Sequence, residues 1–219
     1  DLFELVRHLV EAHAPDYAPL LRDGEPGLAE RVASTFARHL DGRPEVQRWG
    51  WKLPETANAM PVVARLFPEA RVIHLVRDGR DVAFSPFVAP KARFWRKIYF
   101  GDDRIRSWRG LAMTQRAYRR HGHLFNAARW VNSVTLGRSY GAPLAERYLE
   151  MSYEALVADP GAELARVAAF LGLAAASNDL PPVSAASIGK WRRQPAAHLA
   201  EIRPILEPTL GAFGYAWGV

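Results

Sequence analysis

The sequence predicts an α/β fold, a parallel sheet with helices on both faces, and three observations point there. Short apolar runs near Gln47–Lys52, Arg71–Val76 and Tyr148–Met151 alternate with segments of helical period. The second run passes straight through Gly79 into a helix start, and the third does the same at Tyr153. No apolar run approaches the roughly 18 residues of a membrane span. In order, Leu2, Leu5, Val6, Leu9 and Val10 fall at helical spacing, so residues 2–14 read as an amphipathic helix closed by Pro15. After the DGEPG turn, Leu28, Val32, Phe36 and Leu40 recur every fourth residue and define a second helix ending at Asp41 and Gly42. A strand is expected over 47–52, a helix over 55–66, then the strand at 71–76 and its helix from about Arg80. Residues 86–101 mix Pro, aromatic and basic residues without a period and read as an ordered loop or broken helix. Helices over 103–122 and 124–138, the strand from Tyr148, a helical turn over Tyr153–Ala158, and a helix over 161–171 ending at Gly172 follow. Residues 174–187 read as a loop, and 195–213 as a last helix interrupted at Pro204 and Pro208. No repeat, low-complexity tract or linker divides the chain, so 1–219 is expected to be one domain.

Composition narrows the function classes. Lys and Arg outnumber Asp and Glu by 29 to 23, a formal net charge of +6, which suits an anionic ligand but is also common among soluble proteins. Nucleic acid is not expected, because the basic residues are dispersed and no helix-turn-helix, zinc-finger or RNA-recognition signature accompanies them. With no cysteine there is no disulfide framework, thiolate nucleophile or Cys-ligated metal. The first residues carry acidic side chains in place of a basic start and a continuous apolar stretch, so they are not expected to be a signal peptide. Together these features lead us to expect a cytoplasmic protein, and the abundance of Ala, Arg, Gly and Pro suggests a GC-rich bacterial genome.

The most informative stretch is FPEARVIHLVRDGRDVAFS, Phe67–Ser85. A strand end feeding a helix start directs backbone N–H groups at one spot, Arg77 adds a permanently charged fork there, and Ser85 adds a hydroxyl from the helix side. An ordinary strand-to-helix turn, with an Arg paired to Asp78 or Asp81, is the plainer alternative. Further on stand YLEMSYEALVADPGAELARVAAFLGL, Tyr148–Leu173, and SIGKWRRQ, Ser187–Gln194. In the second, Gly189 permits close backbone approach while Lys190, Arg192 and Arg193 bring charge; a solvated basic loop is its plain reading.

These stretches, in this order, resemble sulfotransferases that use 3′-phosphoadenosine 5′-phosphosulfate (PAPS), in the broad bacterial branch related to carbohydrate and tyrosyl-protein sulfotransferases. The resemblance covers roughly residues 47–215. It implies a fold like that of P-loop kinases, with Arg77 and Ser85 on the 3′-phosphate and Tyr153 beside the adenine. Gly189, Lys190, Arg192 and Arg193 would cover the phosphate, with Trp191 either joining them or simply packed. Glu154, Phe170 and Leu171 read as structural residues. The family also has a first strand and a Pro-x-Ser-Gly-Thr loop that binds the 5′-phosphosulfate, and neither occurs in these residues. Either the sequence starts downstream of that element or the protein is a shortened form. The first is expected, because a sheet without its central strand exposes backbone donors and acceptors.

For the transfer step the resemblance of WGWKLPET to the family's Lys-x-Pro segment nominates Lys52 as the stabiliser of the transferring group. Trp51 stands where relatives carry a base, which leaves Glu55 as substitute, although a first-turn carboxylate favouring the helix dipole explains it equally. His74, mid-strand, reads as a satisfied sheet histidine, and nothing in the sequence places His121 or His123. No metal is expected, since no HExxH or clustered-carboxylate pattern occurs. Of the seven tryptophans, Trp95, Trp108 and Trp130 could line an acceptor pocket, though most will be core. The expected function is sulfuryl transfer from PAPS, leaving PAP, to a hydroxyl of a small molecule, carbohydrate or lipid. The alternatives are a non-catalytic PAP-binding relic or partner protein, and a nucleotide kinase relative, which the absence of GxxxxGK[ST] disfavours.

Overall fold

The computed structural model describes residues 2–13, 17–39, 48–54, 56–86, 122–174 and 184–217. Three helices open the chain: α1 (Leu2–His13), α2 (Ala18–Asp23) and α3 (Leu28–His39). Their apolar stripes meet through Leu5, Val6, Leu9, Leu20, Leu28 and Val32, all buried. Tyr17, buried between α1 and α2, donates from its hydroxyl to the Asn58 carbonyl at 2.6 Å and so fixes this layer to α4 (Thr56–Leu66).

Two strands, β1 (Val72–Val76) and β2 (Tyr148–Ser152), pair in parallel with Val72 opposite Tyr148 and Val76 opposite Ser152. Between them the chain passes through α5 (Gly79–Ala83) and α6 (Gly122–Gly141). After β2 come α7 (Tyr153–Ala158), α8 (Pro160–Leu171), a 3-10 turn at Lys190–Arg193 and α9 (Ala196–Leu210). Caps follow the sequence closely. The Ser152 hydroxyl accepts from the Glu154 and Ala155 amides, Asp159 accepts from Ala162 N at 2.9 Å, and Gly172 closes α8 in the left-handed region. The main core joins Val76, Ala83, Trp130, Val134, Ile202 and Leu206, welding β1, α5, α6 and α9 together.

Two sequence expectations are corrected. Residues 48–52 form no strand: Trp49 and Trp51 stack at 5.8 Å, both rings edge onto Phe67, the Trp51 indole N–H donates to Thr56 Oγ1 at 3.0 Å, and Gly50 between them weakens any strand. Among the described residues the sheet therefore has two strands. The face bearing His74 and Glu150 packs against α6; on the other face Met151 is buried beside Leu75, while Ile73 and Leu75 themselves remain 38% and 48% exposed. Pro204 and Pro208 do not interrupt α9, because Ile202, Ile205, Leu206 and Leu210 are buried along it and outweigh the lost backbone bonds. The 86–101 loop beyond Ser85 and Pro86, the helix expected over 103–121, and residues 175–183 of the 174–187 loop lie outside the described residues.

His74 is a satisfied sheet histidine. Tyr148 has one hydroxyl proton and donates it to Glu150 Oε2 at 3.0 Å, so His74 Nδ1, 2.6 Å from the same oxygen, is the donor to Tyr148. Nε2 then faces Gly137 of α6, where a methyl would lie 2.7 Å from it. Arg138 grips Glu150 with two guanidinium bonds and lies over the Phe213 ring at 3.5 Å. Burial pushes the His74 pKa below its ordinary 6.5, and the Arg138 hydrogen bonds hold Glu150 below 4.5. Both groups bind protons more readily in the unfolded chain. Stability is therefore complete above pH 6.5 and falls with acidification, first as His74 must charge and again below 4.5 as Glu150 is neutralised. Melting temperatures measured between pH 8 and 4 should show this decline, with its first part diminished in His74→Asn; a flat profile through pH 6 would contradict the assignment. Gly137→Ala should cost about 1–3 kcal/mol in urea unfolding, because the added methyl overpacks the imidazole.

Candidate active site

At the end of β1 the chain turns through Arg77 and Asp78 into α5, and the two residues take separate tasks. Asp78 caps α5, accepting from Arg80 N at 2.8 Å, while its carbonyl takes the Asp81 and Val82 amides. Its carboxylate also grips the Arg80 guanidinium through Nε and Nη2. The buried Arg80 completes its shell by donating to the Ala216 carbonyl at 2.6 Å and lying 4.0 Å over the Trp191 ring. These first-turn amides of α5 are therefore engaged by Asp78, contrary to the expectation that they point at a ligand. The charge at the turn comes from side chains instead.

Those side chains are drawn from three segments. Arg77 donates to the Ser187 carbonyl, lies 5.1 Å over the Tyr153 ring, and approaches Asp81 Oδ2 to 3.9 Å. Its Nε is buried and has no hydrogen-bond partner among the described residues. The Ser85 hydroxyl donates to the Asp81 carbonyl at 3.1 Å and accepts from Lys190 Nζ at 2.8 Å. Tyr153 Oη reaches Ser184 O and Ser187 Oγ, each at 3.3 Å. Burial and the nearby Arg77 both push the Lys190 pKa down, against the opposing pull of Asp81. Two cations thus face one carboxylate, and the mutual repulsion of Arg77 and Lys190 favours an added anion.

Asp81 holds the arrangement together. Fully buried, its carboxylate accepts from Gly189 N at 2.7 Å and Trp191 N at 3.0 Å, which fastens the basic segment to α5. Gly189 adopts φ +70, a region open to glycine, and that turn lets both amides face one carboxylate. Lys190 lies between them and projects to Ser85. Arg192 lies 4.9 Å from the Trp191 ring, which thus meets the guanidiniums of both Arg80 and Arg192, and Arg193 is exposed. Trp130, a core residue, donates from its indole N–H to the Arg77 carbonyl at 2.8 Å and packs so closely on Gly79 that a methyl there would lie 2.6 Å from the ring. Glu154 accepts from Asp78 N, Ser152 Oγ and Tyr215 Oη at 2.7–2.9 Å, a structural role matching its reading.

Lys52 is exposed, and no contact joins it to this group among the described residues. Arg48 donates to the carbonyls of Leu171 and Gly172, and Trp49 and Trp51 pack on Phe67, which holds the segment toward the beginning of β1 while Arg77 lies past its end. Glu55, His121, Trp95 and Trp108 lie outside the described residues. Sequence reasoning missed Trp130 as a support of Arg77 and Asp81 as the anchor of the basic segment. The signal for Asp81 was its spacing, four residues from both Arg77 and Ser85 on one face.

The profile of the Sulfotransferase family matches residues 4–177, and the chain belongs to that family. The match takes in α1–α3, ahead of the span the sequence resemblance covered, and ends before the basic segment at 187–194. No curated protein and no solved structure gives a significant match.

Replacing Asp81 should release the basic segment. Asp81→Ala strands two amides and should cost roughly 2–4 kcal/mol in denaturant unfolding. In hydrogen exchange the Gly189 and Trp191 amides should lose protection ahead of β1; unchanged protection would show that the carboxylate does not anchor the segment.

Proposed function

We propose that this member of the sulfotransferase family binds PAPS through its 3′-phosphate and moves the sulfuryl group to a hydroxyl of a small molecule, carbohydrate or lipid, leaving PAP. The observation that carries this reading is the meeting of Arg77, Ser85 and Lys190, with Lys190 lying 105 positions from Ser85 in sequence and 2.8 Å from its hydroxyl. A phosphate dianion suits that donor set. It offers acceptors to the unpartnered Arg77 Nε, to the ammonium of Lys190 and to the Ser85 hydroxyl, and its charge relieves the repulsion between the two cations. Gly189, Arg192 and Arg193 lie on the same turn and would close over the anion, while Tyr153, already under the Arg77 guanidinium, offers a ring beside it for adenine. PAPS supplies an activated sulfuryl group; the residues of this chain bind and orient it, and favour it over nucleotides that lack the third-position phosphate. Lys52 and Glu55 remain the sequence-based nominees for the transfer step, and no contact of Lys52 among the described residues adds to that nomination.

Calorimetric titration with PAP and with 5′-AMP tests the reading. Wild type should prefer PAP. Arg77→Ala and Lys190→Ala should each weaken PAP binding about 10- to 100-fold, the worth of a charge-assisted hydrogen bond, and Ser85→Ala less. All three should leave 5′-AMP binding nearly unchanged, so the preference collapses. Equal affinity for PAP and 5′-AMP, or unchanged PAP binding by Arg77→Ala, would overturn the proposal. PAP binding with no turnover of PAPS on any acceptor would favour a nucleotide-binding relative without transferase activity.

A further inference from the structure

We infer that His123, His198 and Glu201 form a binding site for a divalent ion of the zinc type. His123 lies in the first turn of α6; His198 and Glu201 are three residues apart on one face of α9. Their ligating atoms all lie within 4.8 Å of one another. His123 Nε2 is 2.6 Å from Glu201 Oε2, and the imidazoles of His123 and His198 lie with centroids 4.5 Å apart. The site has one fixed and two adjustable walls. His123 keeps only 10% of its side chain exposed and stacks on Phe84 at 5.8 Å, whereas Glu201 is 42% exposed and His198 lies at the surface.

The donor set selects the ion. Two imidazole nitrogens and one carboxylate oxygen suit zinc, with a further position open to water or a ligand, whereas calcium and magnesium take oxygen donors. Donors about 2.0–2.2 Å from one zinc ion stand roughly 3.3 Å apart; with the His123–Glu201 pair at 2.6 Å and all three ligating atoms within 4.8 Å, side-chain rotation would suffice to reach that spacing. The sequence expectation of no metal rested on local motifs, and this set joins residues 78 positions apart. The ion would also bind mechanically important ground. His198 follows the basic segment in the first turn of α9, and Phe84 adjoins Ser85, so coordination would staple the start of α9 to the ends of α5 and α6.

Tag-free protein, freed of metal by chelator, should bind one equivalent of Zn²⁺ by calorimetry and gain melting temperature in its presence. Co²⁺ should give the visible absorption of a low-coordinate nitrogen and oxygen site. His198→Ala and Glu201→Ala, both altering exposed side chains, should each lower Zn²⁺ affinity about tenfold or more and abolish the thermal gain. His8→Ala, in the separate α1–α3 layer, should leave both unchanged. Absence of saturable binding, or binding retained in the folded His198→Ala/Glu201→Ala double variant, would overturn the proposal.

Discussion

A single carboxylate that solvent does not reach, Asp81, sets the geometry on which the rest of the site depends. A buried carboxylate is costly unless its oxygens are met by donors, and here the donors are two backbone amides from a segment more than a hundred positions away. Because the donors are Gly189 and Trp191, the residue between them has no freedom of direction: Lys190 must project from the turn, and it meets Ser85. Arg77, one turn before Asp81, lies 3.9 Å from the same carboxylate. One acidic group therefore brings two cations to one place without pairing off either of them completely.

The remaining charges near the turn are kept out of that place. Arg80 would add a third cation, but Asp78 takes its guanidinium and the Ala216 carbonyl and Trp191 ring complete its shell. Glu154 would add a second carboxylate, yet it is spent on Asp78 N, Ser152 and Tyr215. Burial, with the help of this carboxylate, pushes the Tyr215 pKa upward and keeps its hydroxyl a donor. The strand-to-helix turn thus divides its charged residues into a neutralised structural half and an electropositive half. That division explains why RDGRD carries two arginines and two aspartates without being electrically featureless.

The sequence made the local parts legible and the long-range parts only by analogy. The β1–α5 turn, the helical turn at Tyr153–Ala158 and the glycine stop at Gly172 all follow from chemistry within a few residues. The strand expected at 47–52 failed because alternation in WGWK reads the same whether the two indoles face a sheet or each other. The helical run through Pro204 and Pro208 was hidden because local propensity counts against proline, while the burial of Ile205 and Leu206 is a tertiary gain. In the candidate site, Arg77 and Ser85 were nominated by the family resemblance of their turn and spacing, but the task of Asp81 depends on a partner that no local pattern reveals. Its acid character suggested a pair with Arg77; the amides of Gly189 and Trp191 make the closer contacts.

The C-terminal segment is where these arguments converge. The family match stops at residue 177, yet residues after it supply the loop on Asp81, the ring over Arg80 and the tyrosine on Glu154. Its anchorage is polar at the loop and apolar in α9, where Ile202, Ile205, Leu206 and Leu210 enter the core. These two attachments differ in what they permit. Apolar burial in α9 fixes the helix axis, whereas the loop rests on hydrogen bonds to one carboxylate and on stacked cations, which an incoming anion can rebalance without disturbing the core. On the proposed function a cover over a charged ligand would need that combination, since the loop can adjust only if the helix that follows it stays in place.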